Sequence, residues 1–254
     1  MEEKVYFNSD GLKLCGILNR QETDKCIILC HGITVDKEED GIFTNLSEKL
    51  AQKGYAVFRF DFRAHGESEG DSKNLTITGE KKDLEAAYAL LQKQGYKQFG
   101  ILAASFAGGA ASLFAAEHPE IKALVLWNAL VDYDSALNPT LSWPRKNFGP
   151  EAQKKLETQG YMEIGSSKYK VGPKLIEEMR QIKPWQELKK TKIPMLFVHG
   201  DKDTYIPYED SVKYAKMLKA KIEIIKDAEH GFHDNKKQEK QADKATIQFF
   251  TQNL

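Results

Sequence analysis

The chain predicts an α/β fold in which helices cover both faces of a mostly parallel, twisted sheet. Two observations predict this class: short apolar runs that suit buried strands alternate with helical segments, and the alternation extends over most of the chain. It stops at residue 131 and resumes at 193, which predicts a small cap inserted between the sixth and seventh core strands. We therefore expect a core of residues 1–130 and 193–254 and a cap or lid of residues 131–192.

The first half of the chain predicts a hairpin followed by strands and helices in alternation. The hairpin strands are predicted at 5–7 and 12–18, around the turn sequence Asn8-Ser9-Asp10-Gly11. Apolar runs at 26–30 and 100–103 are typical of buried strands, and further strands are predicted at 55–60 and 121–126. Helical periodicity predicts the intervening helices at 44–53, 74–94 and 106 to about 117.

The second half of the chain returns to the same alternation after an irregular stretch. Within that stretch, 161–164 and 168–171 flank Gly165-Ser166-Ser167, which predicts a small hairpin, and 174–182 predicts a helix. Beyond it we expect strands at 194–199 and 222–225 and helices at 208–218 and about 236–250.

A lone serine, Ser105, lies between a predicted buried strand and a helix that begins with small residues. This context is typical of a nucleophile elbow, in which a tight strand-to-helix turn exposes the serine hydroxyl. The usual spacing is G-x-S-x-G, whereas Ala103 and Ala107 occupy the two glycine positions and Gly108 and Gly109 follow. A buried strand that ends in a serine helix cap would explain the same pattern, so the motif alone leaves both interpretations open.

Two further strand ends carry the residue types that a serine nucleophile needs. Asp203 follows the predicted strand at 194–199, and His230 follows the strand at 222–225. Serine needs a histidine to accept its proton and a carboxylate to orient that histidine. Because the carboxyl ends of parallel strands meet at one edge of the sheet, these side chains can come together there. Asp201 and His233 are the competing carboxylate and imidazole.

Recurring motifs over nearly the whole chain resemble those of the α/β-hydrolase superfamily. They are His31-Gly32, the D-x-R-x-H-G-x-S pattern at 61–68, H-G-x-x-D at 199–203 and His230-Gly231-Phe232. Within the superfamily the chain most resembles the bacterial cinnamoyl, or feruloyl, esterase branch. The segments that carry this resemblance are 161–183 and 206–211.

The resemblance implies specific roles for five residues. Ser105 would be the nucleophile, His230 the general base and Asp203 the carboxylate that orients it. The backbone N–H groups of Ile33 and Phe106 would form the oxyanion hole, and the helix that begins at Phe106 favours negative charge there.

Two motif contexts decide between the competing residues. The H-G-x-x-D spacing favours Asp203 over Asp201, and the position directly after a strand and before a glycine favours His230 over His233. His31 and His65 belong to loop motifs that usually support the site structurally.

The substrate pocket is predicted less directly. Trp127 follows a strand end, and by the resemblance three polar cap residues are candidates for binding a phenolic hydroxyl: Asp134, Tyr161 and Tyr169. Three cap aromatics either close over the site or build the cap's own core, and apolar character alone does not separate the two: Trp143, Phe148 and Trp185.

Composition limits the classes of partner. Lysine plus arginine and aspartate plus glutamate are equal at 37 each, so charge predicts no binding to nucleic acid or to an anionic membrane. No apolar run approaches the length of a membrane span, and the first residues lack the pattern of a signal peptide. The three cysteines predict a reduced, cytoplasmic protein rather than a disulfide framework. The histidine spacing predicts no metal site, and the oligomeric state stays open, with a homodimer among the alternatives.

The leading hypothesis is a serine carboxylic-ester hydrolase that acts through an acyl-enzyme and needs no cofactor. Its partner would be a small-molecule ester with a small to medium acyl or aryl group, hydroxycinnamoyl esters included. A thioesterase or an acyltransferase would use the same three residues. The loss of both elbow glycines also leaves open a hydrolase fold retained as a non-catalytic ligand-binding protein.

Overall fold

The computed structural model describes residues 2–138, 140–233 and 235–254, and in these residues an eight-stranded sheet is the central element. Two strands form the predicted hairpin, β1 (Glu2–Ser9) and β2 (Leu12–Asn19). Asp10 and Gly11 form its turn with φ values of 55° and 85°, the left-handed conformation that tight hairpin turns require.

The other six strands are parallel to one another. They are β3 (Lys25–Cys30), β4 (Ala56–Phe60), β5 (Gln98–Ala104), β6 (Ala123–Trp127), β9 (Met195–Gly200) and β10 (Lys221–Ile225). The sheet order is β1-β2-β4-β3-β5-β6-β9-β10, and β2 joins the parallel part through an antiparallel pairing with β4. The central strands are mainly apolar and almost entirely buried because helices cover both of their faces.

Helices bury two hydrophobic clusters against the two faces of the sheet. One face is covered by α1 (Ile42–Ala51) and α10 (Lys236–Asn253). The opposite face is covered by α2 (Ile77–Lys93), α3 (Ala107–Glu117), α8 (Pro184–Leu188) and α9 (Tyr208–Leu218). The predicted fold class, an α/β sheet with helices on both faces, is confirmed.

Two helix starts differ from the sequence prediction for local reasons. The first helix begins at Ile42, two residues before the predicted start, because Gly41 adopts a left-handed conformation there and Ile42 and Phe43 extend the buried face. The second helix begins at Ile77, later than predicted, because the Thr76 side chain accepts a hydrogen bond from the Gly79 N–H and caps it.

The chain between β6 and β9 forms a separate group of small elements beside the sheet edge. They are α4 (Asp134–Leu137), α5 (Ser142–Phe148), α6 (Pro150–Gln159), β7 (Met162–Ile164), β8 (Tyr169–Val171) and α7 (Pro173–Gln181). Strands β7 and β8 pair antiparallel as the predicted hairpin. A third hydrophobic cluster joins these elements to residues at the carboxyl edge of the sheet, among them Ile33, Phe106 and Ile206. In the described residues, no helix is both long and apolar enough to cross a membrane.

Candidate active site

Ser105 occupies a sharp turn between β5 and α3. Its φ of 52° is left-handed, which is uncommon for a residue with a side chain and indicates a turn that the surroundings impose. The Ser105 N–H donates to the Trp127 carbonyl at 2.9 Å, and the Ser105 carbonyl accepts from the Leu130 N–H at 2.8 Å. The methyl groups of Ala103 and Ala107 are buried beside the turn. Alanines in place of the usual elbow glycines are therefore compatible with this turn.

The two glycines after the elbow are needed for close packing of α3. A Cβ atom on Gly108 would lie 2.7 Å from the Ala129 Cβ, and one on Gly109 would lie 1.7 Å from the Tyr133 hydroxyl oxygen. Side chains at these positions would push α3 away from the segment after β6. The glycine-rich helix start thus reflects helix packing rather than the elbow itself.

The hydroxyl of Ser105 contacts the imidazole of His230. The Ser105 Oγ lies 3.0 Å from His230 Nε2, and His230 Nδ1 lies 2.7 Å from Asp203 Oδ2. With the Nδ1–H donating to the carboxylate, Nε2 is left free to accept the serine proton. The structure thus brings together the three side chains that the sequence places on distant loops.

Three groups besides His230 hold Asp203 in place. Its Oδ1 accepts the backbone N–H groups of Tyr205 at 2.7 Å and Ile206 at 2.9 Å, and its Oδ2 accepts from His199 Nε2 at 3.0 Å. The His199 Nδ1 in turn bonds the Ser211 hydroxyl at 2.7 Å. Burial opposes the charge on Asp203, but the nearby His230 and the bonds from the two histidines hold its pKa well below the usual range. The carboxylate therefore stays ionised and oriented.

Neighbouring carboxylates favour the protonated form of His230. Burial lowers the pKa of this imidazole, but Asp203, assisted by Glu39 and Glu229, raises the pKa above its ordinary value. Such an environment stabilises the imidazolium that forms when histidine accepts a proton from serine.

His31 orients the peptide group that carries the Ile33 N–H, and His65 holds the peptide group that follows it. The His31 Nδ1–H donates to the Gly32 carbonyl at 2.8 Å, and that carbonyl belongs to the same peptide group as the Ile33 N–H. His31 Nε2 accepts the Phe62 N–H at 3.0 Å, and His65 Nε2 lies 2.8 Å from the Ile33 carbonyl. Because a trans peptide group points its C=O and N–H in opposite directions, these bonds direct the Ile33 N–H away from His31.

The N–H groups of Ile33 and Phe106 have no acceptor within the described residues. Both residues line the cavity that contains Ser105, and Phe106 directly precedes α3. Unpaired N–H groups at a helix start favour negative charge. The pair therefore matches the donors expected of an oxyanion hole.

A cavity of about 470 Å³ opens beside Ser105 and His230. One side of its lining comes from loops at the sheet edge: Gly32, Ile33, Thr34, Val35, Glu39, Asp40, Ser105, Phe106, Leu130, Tyr205, Ile206, His230, Gly231 and His233. The first residue of α1, Ile42, also lines it. The other side comes from the segment between β6 and β9: Ala136, Trp143, Pro144, Phe148, Ser166 and Ser167. The mixture of apolar walls and a few polar groups suits a small-molecule ligand.

Trp127, predicted to contact substrate, is not among the described residues that line this cavity. Its indole is 2 % exposed and donates to the Thr246 hydroxyl at 2.8 Å. Its ring packs against Phe43 and Phe232 on the face of the sheet covered by α1 and α10. Side chains alternate between the two faces of a strand, and position 127 faces the core.

The three polar cap candidates also lie outside the described lining of the cavity. The Asp134 carboxylate pairs with Lys183 at 2.7 Å near the surface, and the Tyr161 ring lies under the Lys170 ammonium. The Tyr169 ring stacks on His65, and its hydroxyl lies 3.4 Å from the Ala64 carbonyl. In this structure the three side chains thus have partners away from the cavity, and their binding of substrate stays a prediction.

The cap aromatics divide between the two alternatives that the sequence left open. Trp143 and Phe148 line the cavity, whereas Trp185 stacks on Tyr214 and packs against the core. Sequence reasoning missed Tyr205, whose ring stacks on His230 at 4.6 Å and on Trp143 at 4.6 Å. Its position two residues after Asp203 is the one sequence signal that points to it.

One group of described residues has the donor atoms of a metal site: Cys15, Asp61 and Glu67. The Lys37 ammonium already lies 2.8 Å from Asp61 Oδ2 and 3.1 Å from Glu67 Oε1. Hydrogen bonds from Lys4 and Lys37 lower the pKa of Glu67 to about 2. The Lys37 ammonium thus balances the negative charge of the two carboxylates, which a bound metal cation would otherwise balance.

Comparison with known proteins places this geometry in a family. The family model described as serine aminopeptidase, S33, matches residues 21–239. The chain belongs to this family. It is therefore a serine hydrolase of the α/β-hydrolase fold, and the expectation of an enzyme of this type is confirmed. The S33 match includes Ser105, Asp203 and His230.

Individual relatives are distant in sequence and similar in fold. The human serine hydrolase BPHL is 24% identical over 225 residues, which are 84% of this chain and 75% of that protein. The structure of Est1E from Butyrivibrio proteoclasticus with ferulic acid bound has a TM-score of 0.83 at 23% identity, covering 98% of both chains. The Pyrococcus furiosus esterase PF2001 has a TM-score of 0.78 at 22% identity, covering 100% of this chain and 91% of that one.

Proposed function

We propose that the chain hydrolyses carboxylic esters through an acyl-enzyme on Ser105. The observation that carries the proposal is the continuous set of hydrogen bonds from Ser105 through His230 to Asp203, beside two unpaired N–H groups. An ester carbonyl placed against the Ile33 and Phe106 N–H groups would present its carbon to the serine hydroxyl.

In the first half of the proposed reaction, His230 Nε2 accepts the proton of Ser105 as the oxygen attacks the ester carbonyl. The carbonyl oxygen becomes an oxyanion that accepts the N–H groups of Ile33 and Phe106. The Asp203 carboxylate stabilises the imidazolium, which then donates its proton to the departing alcohol. An acyl group is left on the serine oxygen.

In the second half, water attacks the acyl-enzyme. His230 takes a proton from that water, the same N–H groups hold the second oxyanion, and the proton returns to Ser105 as the acid leaves. Within this scheme we propose that residues 131–192 are a cap on a core of residues 1–130 and 193–254. The cap residues Trp143 and Phe148 would then bound the acyl site.

The proposed substrates are esters of small to medium acyl or aryl acids. The cavity volume of about 470 Å³ and its aromatic wall support this size range. Hydroxycinnamoyl esters enter the proposal because Est1E, the solved relative, binds ferulic acid and has a similar fold. The three buried free cysteines support the accompanying proposal of a reducing, cytoplasmic location.

A panel of p-nitrophenyl esters of increasing acyl length, with hydroxycinnamoyl esters beside them, tests the proposal. Wild-type protein should hydrolyse at least one class, and Ser105→Ala should not. A matched thioester and an added alcohol acceptor distinguish a thioesterase or an acyltransferase. Equal ester turnover by wild type and Ser105→Ala would contradict the proposal.

A further inference from the structure

Glu39 brings a carboxyl group to the wall of the active-site cavity, where the proposed reaction gives it no role. It lies in the loop between β3 and α1, next to Asp40, which also lines the cavity. Among the described lining residues there is no lysine or arginine to neutralise this carboxyl. Its presence beside a site that must stabilise an oxyanion therefore needs an explanation.

The backbone around Glu39 is held in an unfavourable conformation. Glu39, Asp40 and Gly41 are consecutive left-handed residues, with φ values of 47°, 54° and 89°. Two of the three carry side chains, for which this conformation is disfavoured. Asp36 stabilises the loop, because its carbonyl accepts the Glu39 N–H and its carboxylate accepts the Glu38 N–H, both at 2.9 Å. The loop thus holds the Glu39 side chain at one position.

The carboxyl of Glu39 bonds directly to the loop that carries the Ile33 N–H. Its Oε2 accepts the Gly32 N–H at 2.7 Å. A Cβ atom built on Gly32 would lie 3.6 Å from Glu39 Oε1 and 3.6 Å from Ser105 Oγ. Because both oxygens lie 3.6 Å from this one point, Glu39 Oε1 and Ser105 Oγ are separated by no more than twice 3.6 Å. Glu39 thus accepts the Gly32 N–H, while His31 donates to the Gly32 carbonyl. That carbonyl belongs to the peptide group that carries the Ile33 N–H.

We propose that Glu39 is a positioning residue: through Gly32 it holds the Ile33 N–H in place beside Ser105, and through its charge it acts on the protonation of His230. The inference rests on the proposed function, because both effects need Ser105 as the nucleophile.

The charge of Glu39 is set by the groups that face it. These are Asp36 and Asp40 from its own loop and His230 from the loop after β10. Burial raises the pKa of Glu39 to about 7, although the Gly32 bond and His230 act in the opposite direction. Around His230 the facing carboxylates are Asp203, Glu39 and Glu229. Ionised Glu39 thus favours imidazolium, and its own titration overlaps the range in which His230 acts.

Two substitutions separate the bond from the charge. Glu39→Gln keeps an oxygen that can accept the Gly32 N–H but removes the charge. We expect this variant to keep the plateau kcat. The acid limb of its kcat/KM profile should move to lower pH by about half a unit, because one partly screened negative charge near His230 is removed. Glu39→Ala loses both bond and charge. We expect its kcat to fall at least about tenfold with little change in KM, since a displaced oxyanion donor weakens the transition state more than the bound ester.

Asp40→Asn is the matched control, because it removes a charge from the same loop without touching Gly32. Asp40 is exposed, so water screens its charge and the acid limb should shift less than in Glu39→Gln. Thermal unfolding of each variant checks that it is folded.

Three results would overturn the inference. They are a Glu39→Ala enzyme with wild-type kcat, a Glu39→Gln enzyme with an unshifted acid limb, and a Glu39→Gln enzyme that loses as much kcat as Glu39→Ala. Failure of the proposed function itself would appear separately, as Ser105→Ala retaining activity.

Discussion

The carboxyl edge of the sheet and the segment that covers it are organised in different ways. At the sheet edge the side chains of Ser105, His230 and Asp203 have defined partners: Asp203 alone accepts from two backbone N–H groups and two histidines. Across the cavity, Trp143 and Phe148 present mainly apolar surface. The comparison teaches that directional bonds specify the proposed chemistry, whereas packing specifies the space around the substrate. Substitutions should therefore affect rate at the first region and selectivity at the second.

The largest expected effect is that of Asp203→Asn. An amide cannot hold the His230 Nδ1–H as a carboxylate does, so kcat for the best ester should fall by about 10⁴-fold. Asp201→Asn is the matched control, because the Asp201 carboxylate accepts the Asp227 N–H at 2.6 Å instead. Steady-state kinetics of both variants measure the difference. An Asp201→Asn enzyme that lost as much activity as Asp203→Asn would reverse the assignment of the orienting carboxylate.

The next effect concerns selectivity. Trp143→Ala should change the ratio of kcat/KM for aryl and short acyl esters by about 10–200-fold, the range that one apolar contact commands. Trp185→Ala is the control, because Trp185 stacks on Tyr214 against the core. It should lower the free energy of unfolding and leave the ester ratio unchanged. A Trp143→Ala enzyme with the wild-type ratio would remove Trp143 from the acyl site.

The contrast between the two regions also explains what the sequence predicts. The mostly parallel sheet, the hairpin at β7 and β8, and the meeting of Ser105, Asp203 and His230 follow from apolar periodicity and from motifs at strand ends. Those motifs are recognisable because the side-chain bonds they form need fixed residue types at fixed spacing. The sequence therefore predicts the parts of the site in which each loop carries its own short motif.

The pocket residues could not be predicted in the same way. Trp127 is an apolar residue at the end of β6 whether it faces the cavity or the core, and one step of strand register decides which. The Asp134 carboxylate forms an ion pair with Lys183, and the Tyr161 ring contacts the Lys170 ammonium. The polar character of the two residues does not distinguish such contacts from substrate binding. Glu39 was missed because its role depends on three left-handed residues, a property that its sequence does not show.

A smaller effect is expected in the pH profile. Since Asp203 and the other carboxylates raise the pKa of His230, the proton leaves this imidazole above about pH 6.5, the ordinary value for histidine. The rate depends on the unprotonated form, so kcat/KM should rise with pH through a midpoint above that value. Profiles of kcat/KM would measure this midpoint. The pH range of the measurement, 5 to 9, is limited at both ends by the stability of the protein. A rate independent of pH over this range would contradict His230 as the base.

The smallest effects are expected at the polar residues that lie away from the described cavity lining. Asp134→Asn and Tyr161→Phe should leave kcat/KM for hydroxycinnamoyl esters unchanged, because their side chains contact Lys183 and Lys170 rather than the acyl site. A selective loss of activity on phenolic esters in either variant would show that the cap rearranges around its substrate.

The central claim is that Ser105 is a nucleophile activated by His230. Reaction of the folded protein with a fluorophosphonate, followed by mass spectrometry of its peptides, tests this claim most directly. We expect one phosphonyl group on Ser105 in the wild type, markedly slower labelling in His230→Ala and none at that site in Ser105→Ala. Folded wild-type protein that remains unlabelled, or that carries the label on another residue, would contradict it.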